Sequence, residues 1–409
     1  MTCIREGSGN TSFTLKREMR MKCFGNIVEK IKANKGKTVA ITLAAFVLVC
    51  AVVTLSCLGA YVFNRIATGV VPTEEQLAAA KGQYKRVLII GVDGMGDYIN
   101  RMEPGSTPNF DKLFGEGFTT AGGTRINASV THTGMAVYPT ISSQNWTSMF
   151  HGVRPPYHGI TGENSNRDLE NGKQANAKYP SFVKQFLDQY PSEKVLSVCT
   201  WKAVNTGAIE DLSQVKKINT DCDTVHAVAN DELALGDPAL VSYIKEQTAM
   251  EGYADETYMM SDAITVQRII DETAVEDYAI AYMHLNQVDS AGHGYGFNKP
   301  NYIRAVSRVD VLIGKLFAAY ETRGWLDDTL FILCTDHGHR YAQDGTGHGG
   351  NSAVERTVTF AIAGKTVKQG APGKYVNTDL APIVSYALGV KAPDTWQGKV
   401  PYNMFIGLK

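Results

Sequence analysis

The chain has 409 residues, of which 44% are hydrophobic and 20% are charged, and its formal net charge is -1. This composition is typical of a folded globular protein and excludes a disordered chain or a polybasic nucleic-acid binder. The length allows two or three domains, but α/β folds of this size often form one domain around a large core.

The N-terminal part of the sequence indicates a membrane anchor. Residues 38–63 form an uncharged run of 26 residues, and about 20 apolar residues are enough to cross a bilayer as a helix. Nine Lys or Arg residues and three Glu residues precede this run, so the positive-inside rule keeps the N-terminus cytoplasmic. We therefore predict a single-pass cell-membrane protein with a basic tail (1–37), a transmembrane signal-anchor helix (38–63), a stalk (64–84) and an extracytoplasmic domain (85–409). A cleaved signal peptide and a buried core helix are the alternatives.

Seven cysteines are present, but only Cys199, Cys222 and Cys334 lie in the predicted outer domain. Three cysteines in so large a domain do not make a disulfide framework. Cys334 lies in an apolar run, which predicts a buried thiol. A bridge between Cys199 and Cys222 is left open.

From residue 85 onward, apolar runs of strand length alternate with helical patterns. This alternation predicts an α/β fold with a mostly parallel central sheet and helices on both faces. Residues 161–275 fit the rhythm less well, and we expect them to include cap elements over a site. The predicted strands are Arg86–Asp93, Lys194–Thr200, Tyr278–Asp289, Thr329–Thr335 and Val358–Ala363, and the predicted helices are Pro108–Gly117, Ser142–Met149, Tyr302–Arg323 and Asp379–Leu388.

Three of the predicted strands end in aspartate, at Asp93, Asp289 and Asp336. Because ligand sites of open α/β sheets lie beyond the carboxyl ends of the strands, these carboxylates are expected to converge. A single aspartate in such a position is more often a helix cap or a turn residue. Three of them, two with histidines close behind, favour a functional site.

Histidines accompany two of these aspartates. Asp289 and His293 are four residues apart, His337 directly follows Asp336, and His348 lies in a glycine-rich loop. Clustered Asp and His side chains suit zinc or a similar metal, with manganese as an alternative. Six ligands exceed one tetrahedral site and fit two divalent ions, which would clamp the attacking and leaving oxygens of a displacement.

Other histidines are weaker candidates. His339 is the alternative to His348, whereas His226 and His284 are more simply interpreted as ordinary surface or core residues.

A hydroxyl-rich segment supplies candidate nucleophiles. Ser142 and Ser143 lie where a helix is predicted to begin, and a helix N-terminus favours a phosphoryl anion. A neighbouring metal can lower the pKa of a hydroxyl and so replace a general base. Without the metal cluster, a helix N-cap would be the better interpretation of either serine.

Together these motifs resemble the alkaline phosphatase superfamily, and in particular its nucleotide pyrophosphatase/phosphodiesterase branch. The likeness covers about residues 85–405 and includes the Asp93-Gly, Thr107-Pro108-Asn109, His158-Gly159-Ile160, Asp289-x-x-x-His293, Asp336-His337-Gly338 and Gly347-His348-Gly349 motifs. The resemblance implies an alkaline phosphatase-like fold with two metal ions, most simply Zn²⁺. It implies that one ion is held by Asp289, His293 and His348, and the other by Asp93, Ser142, Asp336 and His337.

The same resemblance implies a role for Ser142. The threonine nucleophile of the family lies ten residues before a glycine that corresponds to Gly152, so Ser142 is its counterpart, with Ser143 as the alternative. Asn164 corresponds to a family asparagine that binds a phosphoryl oxygen, if one residue is inserted before it. Asn145 matches an asparagine of the nucleophile segment and is assigned to the substrate-binding residues.

These residues favour a hydrolase of small phosphodiesters or pyrophosphates, with nucleotide-type or lipid headgroup-type substrates and a phosphoseryl intermediate. A sulfatase would need Pro and Arg after the nucleophile, and Ser143-Gln144-Asn145 provides neither. A phosphomonoesterase would need an arginine close to Ser142, whereas Arg154 lies twelve residues on. A catalytically dead tethered binding module is a remote alternative. The sequence shows no nucleic-acid-binding surface and gives no oligomeric state.

Overall fold

The computed structural model describes residues 69–250, 257–340 and 347–408. The predicted tail, the predicted transmembrane helix over residues 38–63 and the first part of the predicted stalk lie outside these residues. Among the described helices, none is both long enough and apolar enough to span a bilayer.

A central sheet of eight strands organises the described chain, in the spatial order β2-β3-β8-β7-β1-β6-β4-β5. The strands β7, β1, β6, β4 and β5 run parallel, whereas β8, β3 and β2 pair antiparallel along one side. The predicted mostly parallel sheet is confirmed, but the antiparallel side was not predicted. The strands are β1 Arg86–Val92, β2 Phe118–Thr119, β3 Arg125–Met135, β4 Val195–Cys199, β5 Val215–Asn219, β6 Ile280–Leu285, β7 Thr329–Thr335 and β8 Thr357–Gly364.

Helices cover both faces of this sheet. They are α1 Glu74–Ala80, α2 Pro108–Phe114, α3 Ser142–His151, α4 Pro155–His158, α5 Ser165–Glu170, α6 Phe182–Gln189, α7 Cys222–Ala229, α8 Pro238–Thr248, α9 Thr257–Val275, α10 Gln287–Tyr295, α11 Pro300–Thr322, α12 Ala353–Arg356 and α13 Leu380–Ala387. Short 3₁₀ or π turns occur at Tyr98–Arg101, Val204–Ala208, Leu326–Asp328 and Asn377–Asp379.

The two faces of the sheet form two separate cores. On β1, Val87 and Ile89 belong to one core, whereas Leu88 and Ile90 belong to the other. Successive side chains of a strand point to opposite faces, so a strand covered on both sides must be apolar throughout. This explains the uninterrupted apolar run that ends just before Asp93.

One predicted strand is shorter than expected. The run Tyr278–Asp289 is a strand only over Ile280–Leu285, and Asp289 lies in the first turn of α10. Leu285 pairs with Val92, the last residue of β1, so β6 ends where its neighbour ends. The prediction that Asp289 terminates a strand is therefore wrong, although the residue still lies close to the carboxyl edge of the sheet.

Part of the region with the weakest pattern belongs to the sheet, because β4 and β5 lie within residues 161–275. The helices α7, α8 and α9 build a small core of their own from Val225, Leu240, Ile244, Met260 and Ile264. That these helices act as a cap over a bound substrate stays a prediction.

The three cysteines of the described residues are free thiols. Cys334 is buried in β7, as predicted, and Cys199 is buried in β4. Cys222 is exposed on α7, so the bridge to Cys199 that the sequence left open is not formed.

Candidate metal centre and nucleophile

Two neighbouring strands deliver the first group of candidate ligands. Asp93 directly follows β1 and Asp336 directly follows β7, and the last residues of these strands, Val92 and Thr335, pair in register. The two carboxylates are therefore side by side at the carboxyl edge of the sheet. Candidate ligand atoms of Asp93, Asp336 and His337 all lie within 4.8 Å of one another.

Asp336 presents a carboxylate oxygen that the protein does not satisfy. Its Oδ1 accepts hydrogen bonds from the backbone N–H groups of Gly94 (3.0 Å) and His337 (2.9 Å). Its buried Oδ2 has no hydrogen-bond partner among the described residues, and it lies 3.2 Å from Nε2 of His337. A buried carboxylate oxygen without a donor is costly unless a cation binds it.

The second group comes from α10 and the glycine-rich loop before α12. Asp289, His293 and His348 also have ligand atoms within 4.8 Å of one another. Nδ1 of His348 lies 2.7 Å from the carbonyl oxygen of Thr140. Because a carbonyl can only accept, this nitrogen must carry the proton, which leaves a lone pair on Nε2. That Nε2 lies 3.1 Å from Nε2 of His293. A histidine fixed in this way, with its free nitrogen pointing at other ligands, is typical of a metal site.

The two groups are immediate neighbours. The imidazole rings of His337 and His348, one from each group, stack with centroids 3.7 Å apart. His339 contacts the second group through Asp289, because its Nε2 lies 2.9 Å from Oδ1 of that carboxylate. His348, and not His339, completes the compact three-residue group.

The electrostatics of the cluster fit cation binding. Burial and the neighbouring charge of Asp93 hold the pKa of Asp336 well above its usual range. Burial and the nearby His348 lower the pKa of His337 to about 3, so its ring is neutral near pH 7. The neutral ring of His337 cannot compensate the buried carboxyl groups beside it, whereas divalent cations can. The donor set of carboxylates and imidazoles therefore fits the two ions that the sequence predicts.

Ser142 is the first residue of α3 and lies against the first group. Its Oγ is 3.0 Å from Nε2 of His337 and 3.3 Å from Oδ1 of Asp93. Nδ1 of His337 faces the carbonyl oxygen of Gly338 at 3.2 Å, so it carries the proton and Nε2 is free to accept or to ligate. These contacts distinguish Ser142 from Ser143, whose buried hydroxyl has no partner among the described residues.

Asn145 and Asn164, the two predicted substrate-binding residues, lie in different environments. Asn145 is fully buried. Its amide is engaged by the backbone of Val137, Pro139 and Ile141, and it also accepts from Asn377. This position favours a structural role over the substrate-binding role that the sequence predicts.

Asn164 is exposed and precedes α5 without capping it through its side chain. Two residues later, Asn166 reaches the nucleophile segment, because its Oδ1 accepts from the backbone N–H of Ser143 at 3.1 Å. The sequence holds both asparagines in one Asn-Ser-Asn run, and pattern alone could not choose between them.

Two further residues that the sequence analysis did not select bind Asp93. Nε1 of Trp146 donates to Oδ2 of Asp93 at 2.9 Å, and Nε2 of His284 lies 3.0 Å from the same oxygen. A side chain at Gly91 would collide with the Trp146 ring, 2.8 Å away. That glycine inside an apolar strand was the one available signal of a close approach.

Comparison with known proteins identifies one protein family. Residues 87–379 match the sequence profile of the family described as type I phosphodiesterase/nucleotide pyrophosphatase. Among curated proteins, GPI ethanolamine phosphate transferase 2 of Aspergillus oryzae is 28% identical over 183 residues, which is 41% of this chain and 21% of that protein. The chain thus aligns with only about a fifth of the length of this relative.

Solved structures share the fold at low sequence identity. The alkaline phosphatase PafA superposes with a TM-score of 0.56 at 14% identity, covering 79% of this chain and 99% of that one. An inactive variant of murine ectonucleotide pyrophosphatase/phosphodiesterase 5, in complex with AMP, gives 0.52 at 13% identity, covering 76% of this chain and 97% of that one.

Proposed function

Because the chain belongs to the type I phosphodiesterase/nucleotide pyrophosphatase family, we propose that it hydrolyses phosphodiester or pyrophosphate bonds of small molecules, with Ser142 as the nucleophile. The observation that carries this proposal is the position of the Ser142 hydroxyl. It lies at the start of a helix, within 3.0 Å of His337 and 3.3 Å of Asp93, beside two adjacent groups of metal-binding side chains.

The proposed enzyme uses two divalent metal ions, with zinc favoured by the ligand types and manganese as the alternative. Asp289, His293 and His348 would hold one ion, and Asp93, Asp336, His337 and Ser142 the other. When bound, such ions act as Lewis acids that stabilise charge on the attacking and leaving oxygens.

The residues of the chain supply the remaining requirements of the reaction. Oγ of Ser142 loses its proton and forms a bond to phosphorus while the bond from phosphorus to the leaving oxygen breaks; the leaving oxygen takes up a proton, and a phosphoseryl enzyme results. Water then cleaves the bond between Oγ and phosphorus. The N-terminus of α3 favours the phosphoryl anion, and the amide of Asn166 or Asn164 is the candidate for contact with a phosphoryl oxygen.

A diester is favoured over a monoester because of the position of Arg154. This residue follows the C-terminal end of α3, whereas Ser142 begins that helix. Ten helical residues span about 15 Å, so the guanidinium is remote from the nucleophile along the helix. Phosphomonoesterase and sulfatase activities remain the alternatives that a substrate comparison must test.

A second candidate function is transfer of a phosphorylated headgroup to an acceptor alcohol. The observation that favours it is the alignment with GPI ethanolamine phosphate transferases. The first half of the reaction would be the same, and an alcohol would replace water in the second half. Adding a primary alcohol during turnover and measuring transferred against hydrolysed product would separate the two functions.

The direct experiment compares Ser142→Ala with Ser143→Ala in the full chain. A chromogenic phosphodiester, the matching monoester and a sulfate ester are offered to one preparation, with and without a chelator. We expect the diester to be cleaved fastest, the chelator to abolish cleavage, and Ser142→Ala to lose at least about a thousandfold in kcat. Ser143→Ala should retain most activity. Full activity of Ser142→Ala would overturn the choice of nucleophile.

A further inference from the structure

The helix that carries Asp289 and His293 begins without a cap of its own. Asn286 occupies the N-cap position of α10, but its side chain does not cap the helix and instead donates to Ser290. The first N–H groups of any helix lack partners within that helix and need an acceptor from elsewhere. The start of α10 therefore depends on another element.

That acceptor is Asp262 on α9. Its Oδ1 accepts from the backbone N–H of Asn286 at 2.8 Å, and its Oδ2 accepts from that of Gln287 at 3.0 Å. A carboxylate suits this place, because the positive end of the helix dipole favours an anion. The contact joins α9, which lies in the sequence region with the weakest pattern, to the helix of the proposed metal ligands.

Asp262 is itself held rigidly. It is fully buried, and its Oδ1 accepts a third hydrogen bond from Oγ1 of Thr200 at 2.8 Å. Oγ1 of Thr265 lies 2.9 Å from that hydroxyl. His284 lies near enough to favour the ionised form of Asp262, but burial is the larger effect and raises the pKa of this carboxyl to about 6. Burying a carboxylate in this way is costly, so its retention in the fold calls for an explanation.

The explanation we propose is that Asp262 is a positioning residue, which fixes the first turn of α10 and thereby sets the metal affinity of the Asp289, His293 and His348 group. Asp289 and His293 are four residues apart and so project from one face of α10. A shift of the first turn moves both ligands together relative to His348, which is anchored separately on Thr140. This inference rests on the proposed metal-dependent function.

The chain contains a matched control. Asp310 on α11 is also a buried carboxylate that caps a helix from another element, because it accepts from the backbone N–H groups of Asn109 (3.4 Å) and Phe110 (2.7 Å) at the start of α2. None of the proposed metal ligands lies on α2. The substitutions Asp262→Asn and Asp310→Asn therefore remove the same type of interaction, but only the first concerns the metal centre.

The test is a zinc titration of the metal-free full chain in competition with a chromophoric chelator. For Asp262→Asn, an amide N–H₂ would face the N–H of Gln287, so we expect one of the two zinc equivalents to bind about tenfold more weakly, as for other supporting residues of metal sites. Asp310→Asn should lose comparable stability and keep wild-type zinc affinity. Equal zinc affinities of the two variants would overturn the inference.

Activity gives a second readout. Excess zinc should restore much of the kcat of Asp262→Asn, whereas Asp310→Asn should reach its full kcat at the same zinc concentration as the wild-type chain. If Asp262→Asn does not fold, Thr200→Val removes one hydrogen bond to Oδ1 and should weaken the same zinc equivalent about threefold. Unchanged zinc affinity in that variant would then contradict the inference. If the wild-type chain itself binds no zinc and cleaves no diester, the proposed function fails, which is a different result.

Discussion

At the scale of single residues, the carboxylate of Asp93 shows how the protein prepares a metal ligand. Burial and the neighbouring carboxylate of Asp289 disfavour its ionised form, but the hydrogen bond with His284 helps to outweigh both effects and keeps the pKa of Asp93 below its usual value. Trp146 donates to the same oxygen as His284. Partners of this kind orient a ligand, so their loss typically weakens metal binding about 10- to 100-fold.

The substitution Trp146→Phe tests this role. Phenylalanine fills most of the same space but cannot donate to Asp93, so we expect the zinc equivalent on Asp93, Asp336 and His337 to bind about tenfold more weakly in a chelator competition. Trp396→Phe is the control, because Nε1 of Trp396 donates to the carbonyl oxygen of Pro180 at 3.0 Å, away from the proposed ligands. A similar loss of zinc affinity in both variants would contradict the role assigned to Trp146.

Residue types in sequence were enough to predict which Asp and His side chains lie together, but not which residues bind them. When Asp and His cluster at strand ends, they have few common roles. The sequence could therefore predict that Asp93, Asp336 and His337 lie together. His284 and Trp146 have many common roles, and their contact with Asp93 depends on which strand and helix flank β1. The choice between Asn164 and Asn166 depends on the path of one loop, which no pattern encodes.

At the scale of elements, the position of the proposed nucleophile depends on the contacts that fix α3. His158 in α4 lies under this helix, where its Nε2 is 3.0 Å from Oγ of Ser148 and its Nδ1 accepts from the backbone N–H of Ile160. Because Nδ1 accepts, Nε2 must be the protonated nitrogen, so the ring is neutral and serves as both donor and acceptor. Burial lowers the pKa of His158 to about 3.

This shift predicts a dependence of stability on pH. An unfolded histidine takes up a proton below its ordinary pKa of 6.5, whereas folded His158 stays neutral until about pH 3. Its contribution to stability is therefore complete above pH 6.5 and is lost as the pH falls toward 3. Between pH 7 and pH 5, His158 should therefore cost the wild-type chain up to about 2 kcal/mol in the free energy of unfolding. In denaturant unfolding of the metal-free chain, His158→Gln should not show this part of the loss.

Ser148→Ala is the control for this measurement, because it removes the hydroxyl beside Nε2 of His158 but keeps the buried imidazole. It should retain the steep loss of stability between pH 7 and pH 5. If His158→Gln loses stability between pH 7 and pH 5 as steeply as the wild-type chain, the neutral buried state assigned to His158 is wrong.

Element boundaries were predicted well where the local signal was strong. The helix at Ser142 and the strands before Asp93 and Asp336 were placed within a residue or two, because apolar runs and turn residues coincide there. The end of β6 was misplaced because its limit is set by pairing with β1 and by the acceptor on Asp262, both distant in sequence. The strand β3 was missed because it is rich in Thr, Ser, His and Gly and is only partly buried.

At the scale of the whole molecule, the sheet order explains why distant motifs form one site. β1 lies between β6 and β7, so the segments that follow these three strands meet at one edge and bring Asp93, Asp289 and Asp336 together. The α/β class followed from the alternation of elements, but the strand order and the antiparallel side did not, because neither leaves a local pattern. The membrane anchor over residues 38–63 stays a proposal that places this edge outside the cell.

The most direct test of the proposed two-metal centre is a zinc titration of the metal-free full chain, with the rate of phosphodiester cleavage measured at each point. We expect no activity without metal and a plateau at two zinc equivalents per chain. We also expect Ser142→Ala to bind zinc but to stay inactive throughout. A plateau at one equivalent, or cleavage that persists without metal, would contradict the two-metal centre beside Ser142.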